Sequence, residues 1–188
     1  LILIEGGPGT GKSTLVIKSI LDFLAKKDLN IGLAAPTGKA TSRLKDSIDS
    51  QVINKKSLLN NIECQTIHSW IDNSRYKLDK LKFKLNELDI LVIDEMSMVS
   101  LEIFELVLSL ISIECKLILV GDPNQLPPIN SCSIWNYIFE NLEENPLLNN
   151  TLSLKKVFRN NGDIIILSKS ITNKNNLLLL KEVERINS

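Results

Sequence analysis

Apolar residues along this chain fall into short unbroken runs, separated by stretches in which they recur with helical spacing. Leu1-Ile2-Leu3-Ile4 runs through Glu5 into a glycine loop, the pattern of a buried parallel strand. Ser13 to Lys26 contains neither glycine nor proline, and Val16, Ile17, Ile20, Leu21 and Leu24 are spaced as one helical face. A second strand is predicted from about Ile31 to Ala35, and a helix over roughly Lys39 to Ser47. Residues 48–61 are polar and rich in Asn, Ser and Lys, and read as a loop. A third strand is predicted at Ile90 to Asp94, a helix at Leu101 to Leu110, and a fourth strand at Leu117 to Val120, closed by Gly121.

Strands that alternate with helices, each strand short and apolar throughout, predict an α/β fold with a parallel sheet and helices on both faces. Ligands of such sheets bind beyond the carboxyl ends of the strands. The glycine loop, Pro36-Thr37, Asp94-Glu95 and Gly121-Asp122 all fall at or just after a predicted strand end, so four polar motifs are expected on one sheet edge. One segment departs from the pattern. Between Arg75 and Leu85, Tyr76 and Leu78 alternate in one phase and Leu81, Phe83 and Leu85 in the other. A phase change at Asp79-Lys80 predicts a small β-hairpin, inserted over about 73–86.

The chain has 188 residues, 44% hydrophobic and 23% charged, with a formal net charge of zero. The length suits one domain. Neutrality argues against a broad basic surface that grips nucleic acid non-specifically, though not against a local basic strip. Cys64, Cys115 and Cys132 are widely spaced, with no CxxC pair and a single histidine. That points away from zinc and from a disulfide framework, and towards reduced thiols in a reducing, cytoplasmic setting. No apolar run approaches the ~18 residues of a membrane span. The chain opens inside a predicted strand, without methionine, and its tail after Ile171 is Asn-rich and then Leu-rich. We therefore expect a fragment, with one α/β domain over 1–171 and the start of a following segment at 172–188.

Gly6-Gly7-Pro8-Gly9-Thr10-Gly11-Lys12-Ser13 fits G-x-x-x-x-G-K-[ST] between a strand and a helix, the context that makes this pattern a phosphate-binding loop. Glycines there let backbone N–H groups turn inward around phosphate oxygens, and the helix start adds its positive dipole end. Gly7, Pro8, Gly9, Thr10, Gly11, Lys12, Ser13 and Thr14 are the expected nucleotide-binding residues. Lys12 would reach the β- and γ-phosphates of ATP, and the Ser13 hydroxyl would ligate Mg²⁺. Asp94 can hold that ion, and Glu95 can orient or deprotonate an attacking water. The second acid favours a hydrolase over a kinase, which must keep water out. Gln125, in a proline-rich loop after the fourth strand, can hydrogen-bond a γ-phosphate or its attacking water. Pro36, Thr37, Gly38 and Lys39 open a helix N-terminus beside a hydroxyl and an ammonium, a combination suited to the phosphate of a second ligand such as a nucleic-acid backbone.

GGPGTGKST, AAPTGKAT, TIHSW, VIDEMSM, GDPNQLPPI and VFRN, in that order over about residues 1–170, resemble the successive motifs of superfamily 1 helicases, and most of all the RecD family. The resemblance implies a RecA-like P-loop NTPase fold and an ATP-dependent DNA helicase that moves 5′ to 3′ in recombination and repair. It implies that Gln125 couples the γ-phosphate to the DNA-binding surface. It assigns Arg159 to the γ-phosphate, a role that composition and spacing alone do not reveal. Pro36 to Lys39 are the implied single-stranded DNA segment, with His68 on the same side. A second RecA-like domain and nuclease or helicase subunits of a recombination complex are the implied partners. Motifs of that second domain and the family's adenine-recognising segment are missing from the sequence, so the isolated chain is expected to be weakly active or inactive.

Other readings stay open at this level. His68 can contact DNA or serve as a structural hydrogen-bonding residue. Trp70 can stack on a base or pack in the core. Lys80, Lys82 and Lys84 share a face that either meets DNA or is solvated. The chain as a whole can also be read as a non-motor P-loop switch or a non-catalytic subunit of a recombination complex.

Overall fold

The computed structural model describes residues 1–24, 29–51, 60–76, 80–126, 134–140 and 149–154. Six strands form one sheet: β1 (Ile2–Gly6), β2 (Ile31–Ala35), β3 (Ile62–Thr66), β4 (Ile90–Ile93), β5 (Lys116–Gly121) and β6 (Thr151–Leu154). Their order is β3-β2-β4-β5-β1-β6, and every neighbouring pair is parallel. The helices are α1 (Lys12–Leu24), α2 (Gly38–Gln51), α3 (Ile67–Arg75), α4 (Leu101–Leu110) and α5 (Ile134–Glu140).

Period-two alternation divides the core into two layers. Ile4, Ile31, Leu33, Ile90, Val92 and Val120 face Val16 and Ile17 of α1 and Ala40, Leu44 and Ile48 of α2. Leu3, Ala34, Leu91, Ile93, Leu117 and Leu119 face Ile67, Trp70 and Ile71 of α3, Phe104 and Val107 of α4, and Trp135 and Ile138 of α5. Every residue of β2 and β4 is buried, as expected of interior strands covered on both faces. Trp70 packs over Gly32 and donates its indole N–H to the Leu33 carbonyl at 3.1 Å. A Cβ on Gly32 would lie 3.2 Å from the Trp70 ring and 2.5 Å from a Leu88 methyl, so that site admits no larger residue without repacking. Trp70 is thus a core residue.

Two strands, β3 and β6, and two helices, α3 and α5, lie where the apolar pattern predicted no element. β3 and β6 are the outermost strands, and β3 carries Glu63, Gln65 and Thr66. α3 follows β3 at once, capped by Thr66, whose hydroxyl accepts from the Ser69 N–H. The polar segment expected as a loop over 48–61 instead begins with the last turn of α2, which runs to Gln51.

The expected hairpin is also corrected. Asn73 to Arg75 end α3, residues 80–83 form a turn and bends, and Leu85–Glu87 form a 3-10 turn; residues 77–79, at the predicted reversal, lie outside the described residues. None of the described residues of 73–86 is in a strand. The backbone there bonds to side chains instead of a partner strand. The Asn73 amide oxygen accepts from Lys80 and Leu81 N–H at 3.1 and 3.2 Å, its NH₂ donates to the Phe83 carbonyl, and Leu85 N–H donates to the Ser74 hydroxyl. The alternation of Leu81, Phe83 and Leu85 is real, but it lays a strap of apolar side chains against the core.

Candidate nucleotide site and its flank

Because all six strands run the same way, the loops after β1, β4 and β5 leave one edge of the sheet. Glu5 pairs with Gly121 and Ile93 with Leu119, so the glycine loop, Asp94 and Asp122 leave adjacent strands at nearly the same level. The glycine loop turns on Gly9 and Gly11, with φ of 75° and 79°, a conformation that side chains other than glycine rarely adopt. The Thr10 hydroxyl donates to the Gly7 carbonyl at 2.9 Å and pins the bend.

Lys12 opens α1 and folds back over its own loop, donating to the Gly6 carbonyl and, at 3.0 Å, to the Gly7 carbonyl. Burial holds its ammonium pKa below the ordinary lysine value, and Asp122, Asp94 and Glu95 oppose that shift. Next to it, Ser13 Oγ donates to Asp94 Oδ2 at 2.6 Å. Asp94 is only 7% exposed. Its other oxygen accepts from the Glu95 N–H at 2.9 Å, and its own N–H extends the β2–β4 ladder to the Ala34 carbonyl. This hydroxyl–carboxylate pair offers hard oxygen donors suited to a small divalent cation. No group of three or more His, Cys, Asp or Glu side chains forms a metal cluster among the described residues. The donors therefore fit an ion that also takes oxygens from phosphate and water, as Mg²⁺ usually does.

Glu95 has φ 57° and ψ 41°, the only positive φ outside glycine among the described residues. The left-handed residue turns the chain sharply off β4 into a 3-10 turn, Met96–Met98, whose Met98 N–H donates back to the Glu95 carbonyl. Burial and the neighbouring Asp94 raise the Glu95 carboxyl pKa, while Lys12 and Arg43 pull it down. From β5, Asp122 folds the next loop, with its side chain accepting from Asn124 N–H and its carbonyl from Gln125 N–H. Gln125 is held by the buried Ser97, whose hydroxyl donates to its side-chain oxygen.

These groups border one cavity of about 230 Å³. The structure brings Pro8, Gly9, Thr10, Gly11, Lys12, Ser13, Thr14, Asp94, Glu95 and Gln125 to its wall. It adds a side that the sequence did not announce: Ala40, Arg43, Leu44 and Ser47 of α2. Their spacing of three, four and seven residues is one helical face, and that spacing was the available signal. Arg159 lies outside the described residues, as do Cys132, Pro127, Pro128 and the 172–188 segment.

Pro36 to Lys39 stand at the neighbouring strand end. Thr37 accepts from the Ala40 N–H and so caps α2, and Thr37, Gly38 and Lys39 are exposed. Ala35 pairs with Thr66, which places the exposed His68 two residues beyond the register partner of Ala35, as Thr37 is beyond Ala35 itself. Lys82 donates to the Asn60 carbonyl and lies over the Phe83 ring.

A parallel sheet with this loop, a carboxylate pair at the next-but-one strand end and a glutamine after the strand between them defines a P-loop nucleotide-binding fold. The chain belongs to the AAA domain family, whose pattern it matches over residues 1–131. It is 37% identical over 186 residues to the RecBCD enzyme subunit RecD of Buchnera aphidicola subsp. Schizaphis graminum, covering 93% of this chain and 30% of that one. It is 32% identical over 131 residues to the ATP-dependent RecD2 DNA helicase of Deinococcus radiodurans, covering 70% of this chain and 16% of that one. The chain thus spans less than a third of the length of these relatives. In fold it is similar to an arterivirus nonstructural protein 10 helicase solved with DNA, with a TM-score of 0.55 at 19% identity over 92% of this chain and 40% of that one. The Pif1 helicase of Candida albicans gives a TM-score of 0.50 at 22% identity, over 89% of this chain and 40% of that one. The chain is a RecD-like P-loop domain with a RecA-like fold. No helix among the described residues is long and apolar enough to cross a membrane.

Proposed function

We propose that this chain binds and hydrolyses ATP and, within a larger protein, couples that turnover to movement along single-stranded DNA and to strand separation. One observation carries the reading: Lys12, the Ser13–Asp94 pair, Glu95 and Gln125, from three separate places in the sequence, border a single cavity beside the glycine loop. The likeness to RecD and RecD2 supports the helicase assignment and the link to recombination.

In this reading Lys12 leaves the Gly6 and Gly7 carbonyls and turns to the β- and γ-phosphates. Gly7 to Thr14 wrap the phosphates with backbone N–H groups and the start of α1. Ser13 and Asp94 hold Mg²⁺, which when bound supplies positive charge to the phosphate oxygens. Glu95 accepts the proton of the attacking water, and its raised proton affinity suits it to that task. Gln125 senses the γ-phosphate. Arg159 takes the role its motif implies, supplying a guanidinium to the transferring phosphoryl group. Pro36 to Lys39 and His68 form the DNA flank. Residues 1–171 act as one ATPase domain, and a second RecA-like domain and subunits of a recombination complex are its partners.

The test is nucleotide binding and DNA-stimulated ATPase in the full protein and its Lys12→Ala variant. The substitution removes the one side-chain cation that opens α1 beside the loop, and an affinity loss of about tenfold or more is expected. Unchanged ATP affinity in the variant would remove the basis of the assignment.

A further inference from the structure

We infer that Arg43 is a phosphate-contacting residue of the nucleotide site, reaching the terminal phosphate of the triphosphate from the α2 wall. The inference rests on the ATP-site reading above and extends it to a group that neither the glycine loop nor the acidic strand end supplies.

The placement follows from the helix. Thr37 caps α2 and fixes its start, and the Thr41 and Ser42 hydroxyls bond back to the Thr37 and Gly38 carbonyls. Ala40 and Leu44 are buried against the sheet, which sets the rotation of the helix about its axis. That rotation carries Arg43 to the cavity border with Ser47. The Ser47 hydroxyl is occupied by the Arg43 carbonyl at 2.9 Å, so it adds little to a ligand. Arg43 therefore brings the one positive charge that α2 adds to this cavity among the described residues.

Its end of the cavity can also be named. The guanidinium is near enough to act on the Glu95 carboxylate from the α2 side, while Lys12 acts on it from the loop side. Glu95 and Gln125 mark where the γ-phosphate and its water would sit. An anion with three terminal oxygens placed between Lys12 and Arg43 meets cations from two walls. A planar guanidinium can engage two of those oxygens at once, which an ammonium cannot. The side chain is exposed at the cavity border, where it can turn towards a terminal phosphate. A diphosphate does not extend to this end, so the contact discriminates ATP from ADP.

The experiment is equilibrium binding of ADP and of a non-hydrolysable ATP analogue to the full protein, its Arg43→Ala variant and its Arg43→Lys variant, all with Mg²⁺. The expected result is a loss of about tenfold in analogue affinity for Arg43→Ala, with ADP affinity within about twofold of the parent. Arg43→Lys keeps the charge without the fork and should recover only part of the loss. An equal loss for both nucleotides, or no loss for either, would overturn the inference. Absence of nucleotide binding by the unaltered protein would instead count against the ATP-site reading. Because Arg43 is exposed, the variants should melt at the parent temperature, and that measurement confirms an intact fold.

Discussion

Ser97 Oγ donates a hydrogen bond to Gln125 Oε1 at 3.0 Å, from a side chain with no exposed surface. The contact ties the 3-10 turn after β4 to the loop after β5. It fixes which end of the Gln125 amide is engaged by protein and leaves the NH₂ end as the donor for a ligand.

Ser97→Ala should therefore act on turnover more than on binding. A hydrogen bond of this kind is worth about 1 kcal/mol, so kcat of DNA-stimulated hydrolysis should fall about fivefold, with KM for ATP nearly unchanged. Steady-state kinetics check this. A rise in KM at constant kcat would show that Ser97 serves the ground state instead.

Glu95→Gln keeps the length and shape of the side chain and removes the proton acceptor. ATP affinity should stay within about twofold of the parent, while hydrolysis should slow by about 10²–10⁴. Rapid-quench measurement of the chemical step separates these. Parallel loss of binding would assign Glu95 to the metal or to the fold.

The DNA flank needs a variant that leaves α2 capped. Thr37→Ala removes an N-cap and costs about 1 kcal/mol of stability, so it confounds a binding measurement. Lys39→Ala does not. It should weaken single-stranded DNA binding and lower the salt dependence by about 0.7 in log–log slope, the share of one phosphate contact. Fluorescence anisotropy at several salt concentrations checks this. An unchanged slope places Lys39 away from the backbone.

Trp70 contributes through both volume and its indole N–H. Trp70→Ala should cost about 3–5 kcal/mol by opening a cavity under α3. Trp70→Phe should cost less, losing chiefly the bond to Leu33 and some contact over Gly32. Urea denaturation of the two variants checks the order. Both variants lack the indole N–H, so the reverse order would mean that a phenyl ring strains this site more than an empty cavity does.

Burial pushes the Cys64 thiol up to about 12. At pH 8 it is almost wholly protonated and should resist alkylation in the folded protein while reacting readily in denaturant. Mass spectrometry of iodoacetamide-treated samples checks this. Fast labelling of native Cys64 would show that the β2–β3 side of the sheet opens.

How much of this was legible in the sequence depended on position in the sheet. β2 and β4 are buried on both faces, so Ile31 to Ala35 and Ile90 to Ile93 read as apolar runs. β3 and β6 are the outer strands, and Glu63, Gln65, Thr151 and Ser153 dilute the same signal. The residues flanking 77–79 showed a true alternation, but nothing in it told a strand with a partner from a strap held by the Asn73 side chain. The glycine loop, Asp94, Glu95 and Gln125 stand out as candidates because each sits within a few residues of a strand end, and the structure brings them to one cavity. Arg43 and Ser97 do not stand out, because the cavity position of the one comes from helix rotation and the hydrogen bond of the other spans 28 residues of sequence.

The left-handed backbone at Glu95 also filters the mutations this position can sample. Most side chains pay about 1–2 kcal/mol to hold that conformation, and β-branched ones pay more. Asparagine, aspartate and glycine enter it more easily. A lineage drifting away from catalysis would therefore reach a shortened carboxylate, an amide or a bare backbone here long before a valine or isoleucine. Inactive descendants of this domain should carry that bias as a lasting trace of the turn.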